Sequence, residues 1–265
     1  VSGPIAPRVL IKGAGEMASG VAWRLHRARV RRLAMLDLPR PLAVRRRVAF
    51  CEALIEGRAV VEGVAAVRCA GLAAVEAAWG RGEIAVLETI PEGLAPEVVI
   101  DAVLAKRNLG TRRDEAPLVI GLGPGFTAGV DVDRVIETNR GHDLGRVIER
   151  GSAAPNTGVP GAMAGVTVER VLRAPVAGVF ETDRAIGERV EAGALIGRVA
   201  GEPVIAAVGG ILRGLIRPGT EVAAGLKLGD IDPRGRREYC DTISDKARAL
   251  GGAVLEALME HANRG

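Results

Sequence analysis

Gly13-Ala-Gly15-Glu-Met-Ala18 is the first stretch whose residue types and spacing could do chemistry. It follows the apolar run Arg8-Val-Leu-Ile-Lys12 and opens a segment in which Met17, Val21, Leu25 and Ala28 recur at helical spacing. A strand, a glycine turn and a helix in that order form a phosphate cradle. Gly13 permits the tight turn, Gly15 lets a phosphate approach the backbone, and Ala18 allows close helix–strand packing. The helix N-terminus supplies amide donors and partial positive charge. Asp37 lies 22 residues beyond Gly15, where a carboxylate can accept from a ribose hydroxyl. Lys12, Arg40 and Arg45-Arg46-Arg47 could neutralise phosphates, although such a run is as readily a solvated helix face. Glu16 opposes an anion at the same turn.

A second glycine turn, Gly121-Leu-Gly123-Pro-Gly125-Phe-Thr127, follows the apolar run Leu118-Val-Ile120. Its successive amides can form an anion-binding nest or simply close a tight turn. Asp131, Asp133, Glu137, Arg140, His142 and Asp143 then concentrate titratable groups in an irregular stretch. His142, between Arg140 and Asp143, suits acid–base work near neutral pH, or a structural role. Cys240 precedes the last helical segment. A helix N-terminus and the nearby Lys246 would lower its thiol pKa and make a nucleophile; a half-buried, inert thiol is the alternative. His142, Cys240 and Lys246 are thus the catalytic candidates. Lys12, Gly13, Gly15, Ala18, Asp37, Gly123, Gly125 and Arg140 are the ligand-binding ones. No metal-type ligand spacing is present.

The elements that must position these residues follow from periodicity. Strands are expected at Arg8–Lys12, Arg31–Leu38, Ala65–Cys69, Glu83–Leu87, Val98–Leu104 (which could equally open a helix) and Leu118–Ile120. Helices are expected after Gly15, over Arg45–Gly57 and over Leu72–Trp79. Alternating strands and helices imply a parallel sheet. In such sheets ligands sit beyond the carboxyl ends of the strands, so Gly123, Gly125, Arg140, His142, Cys240 and Lys246 are expected to converge near the Gly13–Gly20 turn. Residues 127–170, dense in Gly, Asn, Thr and Pro, read as a lid or linker.

Farther on, Ala174, Gly178, Gly187, Val190, Ala192, Gly193, Gly197 and Val199 recur without a gap 32 positions later. Their counterparts are Ala206, Gly210, Gly219, Val222, Ala224, Gly225, Gly229 and Ile231. Two copies of one β unit are implied, interlocking because neither can bury an apolar face alone. Thr242–Ala262 carries the stripe Ile243, Ala247, Leu250, Val254, Leu258 and reads as a helix returning to the first half. The expected fold is therefore α/β: a Rossmann-like parallel-sheet domain (1–126), the irregular segment (127–170), a small all-β barrel-sandwich module (171–233) and a C-terminal helix (234–265).

Composition narrows the class. Aromatics are 2% of the chain, which argues against base-stacking nucleic-acid surfaces. The net charge of +4 is scattered rather than gathered into a tail. Thirty-two arginines stand beside four lysines, Lys12, Lys106, Lys227 and Lys246, and only lysine offers a compact ammonium of tunable pKa. Three cysteines without pairing or metal spacing fit a reducing cytoplasm, and no apolar run reaches the length of a membrane span.

Taken together, Ile11–His26, Val119–Gly129, Val135–Gly145, Pro155–Gly158, Asp230–Arg234 and Thr242–Arg248 resemble the YqeB family of accessory proteins from the selenium-dependent molybdenum hydroxylase system. The resemblance implies a role in maturing or supplying such hydroxylases and leaves the reaction open. A nucleotide-like cofactor, molybdopterin dinucleotide or NAD(P), would occupy the first half. A hydroxylase or its other maturation factors would be the partner, with homo-oligomerisation open. An NAD(P)-dependent oxidoreductase and a non-catalytic docking scaffold are the alternatives. The repeat separately resembles biotinyl and lipoyl carrier domains, but its central turn, Gly201-Glu-Pro-Val204, lacks the lysine that would carry a prosthetic group.

Overall fold

The structure, a computed structural model, describes residues 6–156, 158 and 165–264. Residues 157 and 159–164 of the Gly/Pro-rich segment therefore lie outside the described residues. The described chain forms two units. One holds residues up to 41, 49–156 and 243–265; the other holds 42–48 and 157–242. The boundary expected at 127 does not appear, because the stretch after Phe126 continues the sheet of the first unit.

That sheet has nine strands. They are β1 (Arg8–Lys12), β2 (Arg32–Leu36), β3 (Arg58–Val61), β4 (Val64–Arg68), β5 (Ile84–Leu87), β6 (Val98–Asp101), β7 (Leu118–Leu122), β8 (Arg134–Ile136) and β9 (Val147–Ile148). Their order is β3-β4-β5-β2-β1-β6-β7-β8-β9. Pairing is parallel from β4 to β8 and antiparallel at both edges. The alternative of a helix at Val98–Leu104 fails because β6 is buried along its whole length between two parallel neighbours. Four consecutive apolar or strand-ending residues suit such a position. The order reverses beside β1: β2 lies on one side and β6 on the other, which opens a crevice at their carboxyl ends.

Two helices cross at glycines. α1 (Glu16–Arg27) meets a helix near the end of the chain, Asp245–Ala262, numbered α4 after α2 (Ala53–Glu56) and α3 (Leu72–Gly80). A Cβ on Gly20 would lie 2.7 Å from Ala247 Cβ, and one on Gly251 2.8 Å from the Gly20 carbonyl. Ser244 caps α4, accepting from the Ala247 amide at 3.4 Å. The two-residue turn Glu62-Gly63 between β3 and β4 is left-handed at both positions, and its side chain ties down the start of α4. Glu62 accepts from the Ile243 amide (2.8 Å) and from Arg248, whose guanidinium lies 5.1 Å from the Trp23 ring.

The helix expected over Arg45–Gly57 is instead two 3-10 turns, Arg46–Val48 and Phe50–Glu52, followed by the single turn of α2. Residues 42–48 belong to the second unit, and this change of unit prevents a continuous helix.

The second unit has two four-stranded antiparallel sheets built from β10 (Val171–Arg173), β11 (Gly178–Glu181), β12 (Arg189–Val190), β13 (Leu195–Val199), β14 (Glu202–Ile205), β15 (Gly210–Leu215), β16 (Thr220–Val222) and β17 (Lys227–Asp232). The orders are β10-β17-β15-β12 and β14-β13-β11-β16, so each sheet draws strands from both sequence copies. The 32-residue offset carries into single hydrogen bonds. Gly193 donates to the Ala206 carbonyl and Gly225 to that of Ala174, both at 2.8 Å. Gly187 donates to Leu212 (2.8 Å) and Gly219 to Phe180 (2.7 Å). Asp230 and Asp232, both fully buried on β17, are neutralised by Arg170, Arg213 and Arg234. This gives the Asp230–Arg234 string a structural role.

Candidate functional site

The site builds from β1. Gly13, at φ +92°, turns the chain so tightly that a Cβ there would come within 3.1 Å of the Ala102 carbonyl at the exit of β6. Asp37, just past β2, accepts the Ala14 amide at 2.6 Å and the Leu38 amide at 2.8 Å, and so fixes the turn. The first bond into α1 runs from the Ser19 amide to the Gly15 carbonyl at 2.8 Å. No side chain caps the helix at Gly15. The space a Cβ would enter at Gly15 is open to 4 Å. Ala18 is buried against the sheet.

Lys12 does not stand at the edge of this cradle with a free charge. Its ammonium binds Thr111 Oγ1 (2.8 Å) and Glu115 (2.7 Å), and Thr111 in turn donates to Asp101 at 2.6 Å. A polar chain thus ties the ends of β1 and β6 together. Residue type and spacing do not signal it, because Thr111 lies in an irregular stretch and Glu115 ends a single 3-10 turn.

Both glycine turns pack on the loop that leaves β6. Gly13 meets Ala102 and Val103. Gly125, at φ +111°, fits against the backbone of Arg107, where a Cβ would lie 2.5 Å from its Cα. Within that loop Leu104 (φ +59°) and Lys106 (φ +62°) are left-handed without being glycine, a conformation that costs on the order of 1–3 kcal/mol per residue and collects at functional sites. Sequence reasoning missed this loop, since nothing in Leu-Ala-Lys signals positive φ.

Gly123, at φ +82°, is packed by Thr138, whose Oγ1 would lie 2.6 Å from a Cβ. Two residues on, Arg140 makes a two-pronged bond to Asp245 at 2.6 and 3.0 Å, joining the β8–β9 loop to the start of α4. Lys246 is the next residue. Its ammonium makes no hydrogen bond or ion pair among the described residues. Burial and the Arg140 charge push its pKa down, against the opposing pull of Glu16 and Glu137. Gly123, Gly125, Arg140 and Lys246 are therefore linked, through the loops after β6 and β8, to the α1 turn. Glu137 itself is satisfied locally by the Asn139 and Ala154 amides, each at 2.7 Å.

The other two catalytic candidates have different surroundings. His142 is exposed and makes no hydrogen bond among the described residues. Cys240 lies in the second unit, fully buried in its apolar core at the end of a 3-10 turn rather than at the α4 N-terminus. Burial, reinforced by Asp241, pushes its thiol pKa up despite Arg45, Arg47 and Arg213. The reactive thiolate expected there is thus corrected to a core thiol. Cys51 and Cys69 are buried as well. The run Arg45-Arg46-Arg47 is neither a phosphate clamp nor a solvated face. Arg45 donates to the Thr242 carbonyl (2.9 Å), Arg46 to that of Leu215 (2.8 Å) and Arg47 to that of Ile186 (2.6 Å).

The chain is 48% identical over 255 residues to "Uncharacterized protein YqeB" of Escherichia coli (strain K12). It is a homologue of YqeB. The match takes in 95% of this chain and 47% of that protein, so the chain spans about half the length of the curated relative it matches. The likeness to YqeB read from the sequence strings is therefore present along nearly the whole chain. No protein-family model matches. Among solved structures, an aspartoacylase family protein from Mesorhizobium loti aligns over 85% of each chain at 14% identity and a TM-score of 0.29. A succinylglutamate desuccinylase/aspartoacylase from Rhodobacter sphaeroides aligns over 32% of this chain and 29% of its own, at 23% identity and a TM-score of 0.23. Scores of this size carry no weight for fold or activity. No helix among the described residues is long and apolar enough to cross a membrane, and they hold no cluster of three metal-ligating side chains.

Proposed function

We propose that the first unit is a Rossmann-like domain that holds a nucleotide-like cofactor, molybdopterin dinucleotide or NAD(P), and that the chain acts as a cytoplasmic accessory protein in the maturation of selenium-dependent molybdenum hydroxylases. The second unit, as a rigid barrel-sandwich without a carrier lysine, then serves to dock or position partners. The observation that carries the reading is the cradle at the carboxyl ends of β1 and β6: a tight turn at Gly13, an α1 terminus without a side-chain cap, and open space over Gly15. A diphosphate would be favoured there by the helix amides and dipole, with the space over Gly15 open for its approach. Lys246 offsets Glu16 at the mouth. Asp37, although bonded to two amides, keeps lone pairs with which to accept from a ribose hydroxyl.

The bound group would supply the pterin or nicotinamide chemistry; the chain supplies the phosphate cradle and the charge around it. All three cysteines are buried, so selenium or sulfur would reach the cofactor from another protein rather than from a thiol of this chain. Mass spectrometry of small molecules released from freshly purified protein tests the reading. A pterin dinucleotide supports it in full, and NAD(P) alone shifts it to an oxidoreductase. The Gly15→Val variant should keep its fold and lose nucleotide affinity; unchanged affinity would remove the site.

A further inference from the structure

The internal two-fold of the second unit sets two grooves in equivalent places, and the two differ in what fills them. In the later copy, β15 runs on to Leu215, and the chain's own segment 42–48 lies along its end. The Val44 carbonyl accepts the Leu215 amide at 2.8 Å, and Arg46 donates back to the Leu215 carbonyl at 2.8 Å. Gly214 leaves room for this approach: a Cβ there would lie 2.8 Å from Val44 Cγ1 and 2.9 Å from the Val44 carbonyl. A bent, apolar-then-basic segment that runs into the Arg46–Val48 3-10 turn is thus held by one backbone hydrogen bond and by arginine–carbonyl bonds.

Thirty-two residues earlier the counterpart is open. β11 stops at Glu181, and a cleft of about 630 Å³ is lined by Glu181, Thr182, Asp183, Arg184, Leu195 and Arg198, among others. Asp183 corresponds to Leu215, yet neither its amide nor its carbonyl has a partner among the described residues. Arg184 and Arg198 are engaged, Arg184 with Glu188 (3.4 Å) and the Leu195 carbonyl (3.2 Å), Arg198 with the Gly201 carbonyl (2.8 Å). Glu181 and Asp183 are exposed and make no ion pair among the described residues. The unsatisfied charge of the cleft is therefore negative, where the filled groove has Arg213 and Leu215.

We propose that this cleft is a docking groove for a short basic segment of a partner protein, taken in the manner in which the other copy takes Ala43–Arg47. The partner's backbone pairs with Asp183, and its arginines or lysines meet Glu181 and Asp183. Thr182 stands where the filled groove has Gly214, and its hydroxyl bonds the Ile196 carbonyl. The guest segment consequently sits farther out than Val44 does, and its charges carry more of the recognition.

A labelled peptide with the sequence of Arg40–Ala49 is the probe, and fluorescence anisotropy with the full chain the readout. Saturable one-to-one binding is expected, weakening with added salt and falling about tenfold in the Glu181→Lys, Asp183→Lys double variant, equivalent to about 1.4 kcal/mol. Both residues are exposed, so an unchanged thermal transition will show that the variant is folded. Absence of saturable binding up to about 1 mM peptide, the limit of weak recognition, overturns the proposal. So does equal affinity in the double variant, which would mean that the peptide only displaces the chain's own segment. Self-association of the chain that the double variant abolishes, without peptide binding, assigns the cleft to a second copy instead.

Discussion

Gly251 and Gly252 are neighbours on α4 with opposite surroundings, and replacing each by alanine separates packing from helix propensity. A Cβ at Gly252 would meet nothing within 4 Å, whereas one at Gly251 would press on Arg24 Cβ and the Gly20 carbonyl, both at 2.8 Å. Gly252→Ala should stabilise by about 0.8–1 kcal/mol, the ordinary difference between the two residues in a helix. Gly251→Ala gains the same propensity but must push apart two backbones that cannot yield like a flexible side chain. Overpacking of this kind costs about 1–3 kcal/mol. The two variants should therefore differ by about 1–3 kcal/mol, or roughly 2–12 °C in Tm at 2–4 °C per kcal/mol. The chain's two tryptophans, Trp23 and Trp79, both lie in the first unit and Tyr239 in the second, so tryptophan fluorescence excited selectively during heating reports on the first unit. Equal Tm values for the two variants, or a more stable Gly251→Ala, would refute the close crossing of α1 and α4.

Other perturbations test the site and its supports. Asp37→Ala frees the Ala14 and Leu38 amides and should cost about 1–2 kcal/mol, read by denaturant unfolding; no loss would mean that the carboxylate does not hold the glycine turn. Burial would raise the Glu62 carboxyl, but Arg248 and the Ile243 amide outweigh it and hold the pKa below the usual range. Its contribution is thus complete above the unfolded value of about 4.3 and is lost as pH falls through the folded value. Glu62→Gln should lower Tm at pH 7 and flatten its acid dependence, and a parallel acid slope in both proteins would contradict this. For Lys246 the sign reverses, because burial and Arg140 disfavour the charged form. Lys246→Met should raise Tm at pH 7, and the gain should shrink as pH approaches the unfolded lysine value of about 10.4; a gain independent of pH would locate the effect elsewhere.

The core of the first unit was legible because β1, β5 and β7 are short apolar runs ending at glycine or at charged residues, and burial on both faces demands that pattern. The repeat was legible for a different reason: its glycines are held by close contacts, as at Gly197 and Gly229, so both copies keep them at the same offsets. What sequence could not yield is tertiary. Nothing local distinguishes Arg45-Arg46-Arg47 on a wet helix from three arginines bonded to distant carbonyls. Cys240 resembles a helix-terminal thiol in sequence because only four residues separate it from α4. That short gap decides between a nucleophile and core packing. The α1 turn was found from Gly13, Gly15 and Ala18, but the loop after β6 that buttresses both glycine turns was not, since its left-handed residues are leucine and lysine.

Membership of the two units alternates along the chain, which passes between them after residues 41, 48, 156 and 242. During synthesis the first unit cannot be completed when its sheet emerges, because α4, which covers α1 at Gly20, is made about two hundred residues after α1. At about 5–20 residues per second that delay is roughly 10–40 s. For that time the α1 face against which α4 packs has no cover from its own chain. Residues 42–48, made early, must likewise wait for β15 before Val44 finds the Leu215 amide. Neither unit can be produced by truncating a gene at one point: a fragment that ends before Ile243 leaves the first unit open, and one that begins after Val48 takes the arginine staples from the second.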